Sequence, residues 1–190
     1  MTTVCILMAS GLGRRFGGDK LMAEFCGEPM ICRALAATDG VFDRRVVLTR
    51  SAAAAKLCRD RGVPVLLHSE PRRCDAMRLG LTLANGADGV LFCPCDQPLL
   101  RRSTVQALRA AFAADLRSIW RPAWQGRPGA PVLFPRWALG ELAALQSGGG
   151  RQVMARHPGA VRTVPATSAA ELEDVDTQQD LARLERLATD

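Results

Sequence analysis

Lys20 is one of only two lysines in a chain with 25 basic residues; the other is Lys56. It closes the stretch "MASGLGRRFGGDK", residues 8–20, in which Gly11, Gly13, Gly17 and Gly18 surround Arg14 and Arg15. Glycines let a loop turn tightly and let a ligand approach the backbone without a Cβ in the way. Successive backbone N–H groups in such a loop can cradle phosphate oxygens, and Arg14, Arg15 and Lys20 add positive charge to the same place. The composition also suits a solvated basic turn. Two known phosphate loops are excluded. A Walker A loop needs Ser or Thr after its lysine, where this chain has Leu21; a dinucleotide fingerprint needs glycine at position 16, which is Phe16.

Carboxylates follow in two further places. Asp96 sits in "LFCPCDQPLL", just past an apolar run. It could cap a turn, or it could ligate Mg²⁺, which with phosphate substrates takes one or two carboxylates and keeps several waters. "ELEDVDTQQDLARL" carries Asp174, Asp176 and Asp180. Asp180 suits the first turn of a final helix, where the helix dipole favours a negative charge. Neither His68 nor His157 has a triad-like setting, and Cys95 has no histidine partner in the sequence around it. Positioning and electrostatics, rather than a covalent nucleophile, are the chemistry these residues can support.

The elements that would hold these loops alternate. Strands are expected at 4–8, 45–49, 64–67 and 89–93, and helices at 29–37, 51–60, 75–84 and 103–113, with Ser51 and Ser103 as helix caps. That rhythm is the mark of a parallel sheet with crossover helices. Beyond it, 118–121 and 131–134 read as a hairpin around a turn at 125–129. A helix follows at 137–145, then a glycine hinge or loop at 147–151, a strand at 161–164, and a last helix from Thr177 with an apolar stripe at Leu181, Leu184 and Leu187. The expected fold is a single doubly wound, mostly parallel α/β sheet with helices on both faces and an antiparallel hairpin or edge in the C-terminal half, forming one domain over 1–190. Ligands of such sheets bind outside the carboxyl ends of the strands, so the loops at 9–20, 68–74, 94–101 and 173–177 are the candidates.

Composition narrows the ligand. The net charge of +6 favours a polyanion. Aromatic residues are only 5%, and no basic stripe interleaves with them, which argues against nucleic acid. No apolar run reaches membrane length, so a cytoplasmic location with no membrane partner is expected. Seven cysteines, several inside apolar runs (Cys5, Cys26, Cys32, Cys58 and Cys93), read as reduced core thiols. Cys93-Pro-Cys95 lacks the second ligand pair of a zinc site.

The pattern Gly11-x-Gly13-x-Arg15-Phe16-Gly17-x-x-Lys20 resembles the N-terminal signature of the nucleoside-triphosphate transferases, roughly L-A-[AG]-G-x-S-x-R-M-G-x-x-K. It departs at Ser10, Gly13 and Phe16. "CDQPLL" resembles the G-D-[MQ]-P-x-[LIV] block of the same family, with Cys95 for glycine. "DVDTQQDL" resembles D-[IV]-D-T-P-E-D-L, with Gln178 for proline. "GAPVLF" resembles the G-[HN]-P-V-L-F block of the molybdopterin cytidylyltransferase branch, with Ala130 for the polar residue. "HSEPRRCDAMRLGL" differs most, because Arg72 to Met77 replace a G-x-S-x-S-[LIV] segment.

The resemblance implies a nucleotidyltransferase of the molybdopterin branch. Its nucleotide would contact Met8, Ala9, Ser10, Gly11, Gly13, Arg14, Gly17 and Lys20, with Arg72 added. Lys20 and Arg15 would be catalytic. Mg²⁺ would be held by Asp96 and Asp176, with Asp174 the competing position for the second carboxylate. Negative charge grows on the α-phosphate during transfer, and a compact ammonium on a flexible stem can follow it more readily than a rigid guanidinium. Ser10 points to CTP rather than GTP. The implied partners are the nucleoside triphosphate, a molybdopterin-type acceptor and a molybdoenzyme that receives the cofactor. Two alternatives remain: a guanylyl- or sugar/alcohol-phosphate nucleotidyltransferase of the same fold, and a non-catalytic nucleotide- or cofactor-binding chaperone suggested by the altered 72–77 segment.

Overall fold

The structure, a computed structural model, describes residues 1–11, 13 and 15–189. The chain runs β1 (Thr3–Ala9), β2 (Glu24–Phe25), β3 (Glu28–Pro29), α1 (Ile31–Thr38), β4 (Arg44–Thr49), α2 (Ala52–Asp60), β5 (Val65–Leu67), α3 (Arg73–Thr82) and β6 (Gly89–Pro94). It continues through α4 (Arg102–Ala114), β7 (Ile119–Trp124), β8 (Arg127–Pro128), β9 (Val132–Pro135), α5 (Arg136–Ala143), α6 (Arg151–Arg156), β10 (Val161–Pro165) and α7 (Gln178–Thr189). The main sheet has the order β10-β7-β9-β6-β1-β4-β5, with β8 paired to β7. β1 is parallel to both neighbours: Cys5 lies opposite Arg45 on β4 and Leu91 on β6.

Alternation along β1 builds the core on both faces. Cys5, Leu7 and Ala9 pack with α1, α2, α4 and Leu184 of α7. Val4 and Ile6 point the other way, to α3, α5 and α6. Strands buried on both faces become near-continuous apolar runs, and "VCILMA" is one. From β1 the chain winds outward through β4 and β5, then returns to β6 on the other side of β1. The crevice between β1 and β6 is therefore the topological switch point, where such sheets bind ligands.

Several local expectations are corrected. The expected hairpin is present, with β9 antiparallel to β7, but β9 also pairs antiparallel with β6 and so lies inside the sheet. Residues 119–124 form a longer strand than expected, with its own short antiparallel partner in β8. Ser103 is not a cap: α4 starts at Arg102, and its cap residue Arg101 makes no side-chain bond. Ser51 does cap α2, accepting from the Ala54 amide. The 147–151 glycines end in α6, whose six residues are too few to show periodicity. Leu187 is exposed and lies outside the core packing of Leu181 and Leu184. Cys26 is exposed too, because it sits in the tight β2–β3 turn with φ +51°.

Candidate active site

The glycine loop leaves β1 and is pinned to the core by two apolar side chains. Phe16 and Leu21 are buried, so Lys20 is held between fixed points. The Gly13 carbonyl accepts from the Phe16 and Gly17 amides, both at 2.9 Å, which closes the turn. Gly13 has φ +57°, and a Cβ there would meet the Gly18 carbonyl oxygen at 2.1 Å. Only glycine fits that position. Because the Phe16 and Gly17 amides are committed inside the turn, they cannot serve as the phosphate cradle expected of them.

Lys20 reaches inward rather than out to solvent. Its side chain is 8% exposed. Nζ donates to Asp96 Oδ2 at 2.7 Å and to the Val175 carbonyl at 2.8 Å, and lies 3.7 Å from Asp176 Oδ1. The two carboxylate oxygens can be no further apart than those two Nζ distances placed end to end. Asp96 arrives from the loop after β6. Asp176 follows Val175, which lies 155 residues beyond Lys20 and whose amide donates to the Asp96 carbonyl at 2.8 Å. Arg15 bonds Asp176 from the outside at 3.1 Å, with a side chain 76% exposed.

These residues form one wall of a cleft of about 400 Å³. Met8, Ser10, Gly11 and Gly13 line it from the first loop, with Arg15 and Lys20 beyond them. Asp96, Asp176 and Arg72 also border it. Ala9 does not: its side chain packs into the core and its carbonyl accepts from Thr49 Oγ1. Gly17 is exposed on the far side of the turn and is absent from the wall. Arg14 lies outside the described residues. Asp174, the competing carboxylate, is not on the wall either.

The wall has members that the sequence reading passed over. Arg50, Glu70, Pro71, Arg73, Ala76 and Pro94 line it as well. Arg50 follows β4, at a strand end like the other loops, but its two-residue connection looked like a helix cap and nothing more. Arg72 is not a free phosphate ligand. It forks onto Asp75, with Nε 2.6 Å from Oδ2 and Nη2 3.0 Å from Oδ1, and also donates to the Gln146 carbonyl. Arg78 bonds the same carboxylate at 3.2 Å. The Arg72 guanidinium first, and then Arg78, hold the Asp75 carboxyl below the usual carboxylate range against the opposing effect of desolvation.

The donor set suits a divalent cation. Two carboxylates converge on one positive charge in the wall of the cleft, and hard cations favour oxygen ligands. Among the described residues there is no cluster of three or more His, Cys, Asp or Glu that could hold a metal. Asp96 and Asp176 would supply two ligands, with substrate oxygens and water taking other positions.

Residues 5–161 match the family described as the MobA-like NTP transferase domain. The chain belongs to that family. Among relatives of this MobA-like chain, a molybdenum cofactor guanylyltransferase of Rhodobacter capsulatus is 28% identical over 95% of this chain and 93% of its own length. Among solved structures, Rv0371c of Mycobacterium tuberculosis H37Rv superposes with a TM-score of 0.83 at 23% identity, covering 98% of each chain. A manganese complex of Rv0371C gives 0.81 at 21% identity, covering 98% of this chain and 99% of that one. These likenesses establish the nucleotidyltransferase fold. Among the described residues of this MobA-like chain, no helix is long and apolar enough to cross a membrane.

Proposed function

We propose that residues 1–190 act as one nucleotidyltransferase unit, transferring a nucleotidyl group from a nucleoside triphosphate to a molybdopterin-type acceptor and releasing pyrophosphate. The observation that carries this reading is Lys20, buried between two carboxylates at the switch point of the sheet. The MobA-like family and the R. capsulatus guanylyltransferase support the acceptor class.

In this reading Asp96 and Asp176 would hold a divalent cation, Mg²⁺ in the cell, which would supply positive charge against the phosphate oxygens. The glycine loop brings the triphosphate against Lys20. As the acceptor phosphate attacks the α-phosphorus and the bond to pyrophosphate breaks, Lys20 Nζ follows the growing negative charge. Arg15, exposed at the rim, steadies the leaving pyrophosphate. None of these steps needs a covalent protein intermediate. The finished cofactor would pass to a molybdoenzyme.

Two observations bear on the nucleotide. Ser10 supports CTP, as the resemblance implies, while the relative named as a guanylyltransferase supports GTP. Pyrophosphate release measured with CTP, GTP, ATP and UTP, each with and without molybdopterin, separates the two. Release from one nucleotide only when acceptor is present supports the transferase. Tight nucleotide binding with no release in any combination would leave a non-catalytic binding protein instead.

A further inference from the structure

The cleft has two chemically different sides. Lys20, Asp96 and Asp176 gather on the β6 side of β1, whereas Ser10 faces the side of β4 and β5. On that second side the hydrogen bonds can be assigned proton by proton. The Glu70 amide donates to His68 Nδ1 at 3.1 Å, so Nδ1 carries no proton. A neutral ring then has its one N–H on Nε2, which lies 2.7 Å from Ser10 Oγ and donates to it. Burial, and then the nearby Arg50, hold the His68 pKa below its ordinary value against the opposing charge of Glu70, which keeps the ring neutral. Ser10 in turn donates to the Leu48 carbonyl at 3.1 Å. The hydroxyl proton is thereby committed to the backbone, and Ser10 Oγ has only a lone pair to offer the cleft. A serine and a histidine at this distance resemble an activated nucleophile and its base. The proton direction rules that out, because His68 donates to Ser10 and cannot take its proton.

We infer that His68 is a positioning residue that fixes Ser10 as a hydrogen-bond acceptor, and that the base bound on this side of the cleft is selected for an exocyclic amino group. The inference rests on the nucleotidyltransferase reading and extends it. Cytosine and guanine both carry such a group; uracil and hypoxanthine do not. A Ser10 released from His68 could rotate and present either a proton or a lone pair, and would lose the ability to choose.

The test is equilibrium binding by calorimetry, with Mg²⁺ present, of CTP against UTP and GTP against ITP. The proteins are wild type, Ser10→Ala, His68→Phe and His68→Gln. Wild type should bind its preferred amino-bearing nucleotide at least about tenfold more tightly than the amino-less counterpart, as expected when a buried polar partner is left unpaired. Ser10→Ala and His68→Phe should reduce that ratio to within about threefold, because each removes the fixed acceptor. His68→Gln, whose amide N–H can still reach Ser10, should recover part of it. Tripolyphosphate, which has no base, should bind wild type and His68→Phe alike, a result that general damage to the cleft would not give. A wild-type ratio near one overturns the inference, as does a Ser10→Ala protein that keeps the wild-type ratio. The second outcome holds even if His68→Phe fails to fold. Binding of no nucleotide at all would remove the nucleotidyltransferase reading itself, whereas binding and turnover without discrimination would remove only this inference.

Discussion

Replacing Lys20 with methionine should tighten divalent-cation binding and slow nucleotidyl transfer in the same protein. In the structure, the ammonium occupies the space between the carboxylates proposed to hold the metal, 2.7 Å from one and 3.7 Å from the other. A free cation must push it aside. Two unit charges 4 Å apart interact by about 1 kcal/mol in water, so an ammonium facing a dication opposes it by about 2 kcal/mol. Water-like screening makes this a lower bound, because the Lys20 side chain is only 8% exposed. The flexible lysine stem can relieve part of the repulsion, leaving about 1–2 kcal/mol, or roughly five- to thirtyfold in affinity. Methionine keeps the apolar stem that packs beside Gly11 but removes the charge. Mn²⁺ titration without nucleotide reads the first effect. Pyrophosphate release reads the second, which should be a loss of about 10²–10³, the usual size for one transition-state donor. A folded Lys20→Met protein that binds Mn²⁺ more weakly than wild type, or that turns over at the wild-type rate, would refute the reasoning.

Gly13→Ala should cost about 1–3 kcal/mol in denaturant unfolding and weaken tripolyphosphate binding, because its Cβ would collide with the Gly18 carbonyl at a positive φ. Asp96→Asn should abolish most metal-dependent turnover, yet lower Tm only slightly, since Lys20 keeps the Val175 carbonyl and Asp176. Glu171 is 1% exposed and accepts from Thr104 at 2.6 Å and from the Thr167 amide and hydroxyl. Glu171→Ala should therefore destabilise the fold by about 1–3 kcal/mol, measured in urea, as the buried Thr104 hydroxyl loses its acceptor. Asp75 has a depressed folded pKa. Its contribution to stability is present above the ordinary carboxylate pKa of about 3.9 and is lost as pH falls through the lower folded value. Asp75→Asn should lack that contribution at neutral pH and show a flatter stability profile below about pH 4, by thermal melts across pH.

The main sheet was legible because buried parallel strands leave plain apolar runs, and "VCILMA" and "GVLFCP" could hardly be anything else. The antiparallel direction of β9 was legible from the hairpin, but its place between β6 and β7 was not, since four residues carry no signature of their sheet neighbours. α6 escaped notice because six residues after a glycine run show no period. In the cleft, Lys20, Asp96 and Asp176 could be picked out by motif and strand end. The meeting of Lys20 with both carboxylates depends on Val175 pairing with Asp96 across the fold, and no local pattern encodes that pairing. The bonding of Arg72, which does border the cleft, was hidden for a related reason. Its charge was visible in the sequence, but its fork onto Asp75, one helical turn away, depends on how α3 begins. The Ser10–His68 bond joins residues 58 positions apart, and only the packing of two loops reveals it.

The bond from Lys20 to the Val175 carbonyl also sets an order of events in the cell. Synthesis delivers the N-terminal part of a chain first. Every strand around the switch point, and both Lys20 and Asp96, are made long before residues 173–176 emerge. Until then the lysine has one carboxylate and no carbonyl to hold it, and Asp176 is not yet available to complete the pair. The family match itself stops at residue 161, short of the segment that closes the site. A nascent chain can therefore build much of the sheet without a working centre. The site is complete only once the late segment has docked against the loop after β6, through the Val175–Asp96 backbone bond.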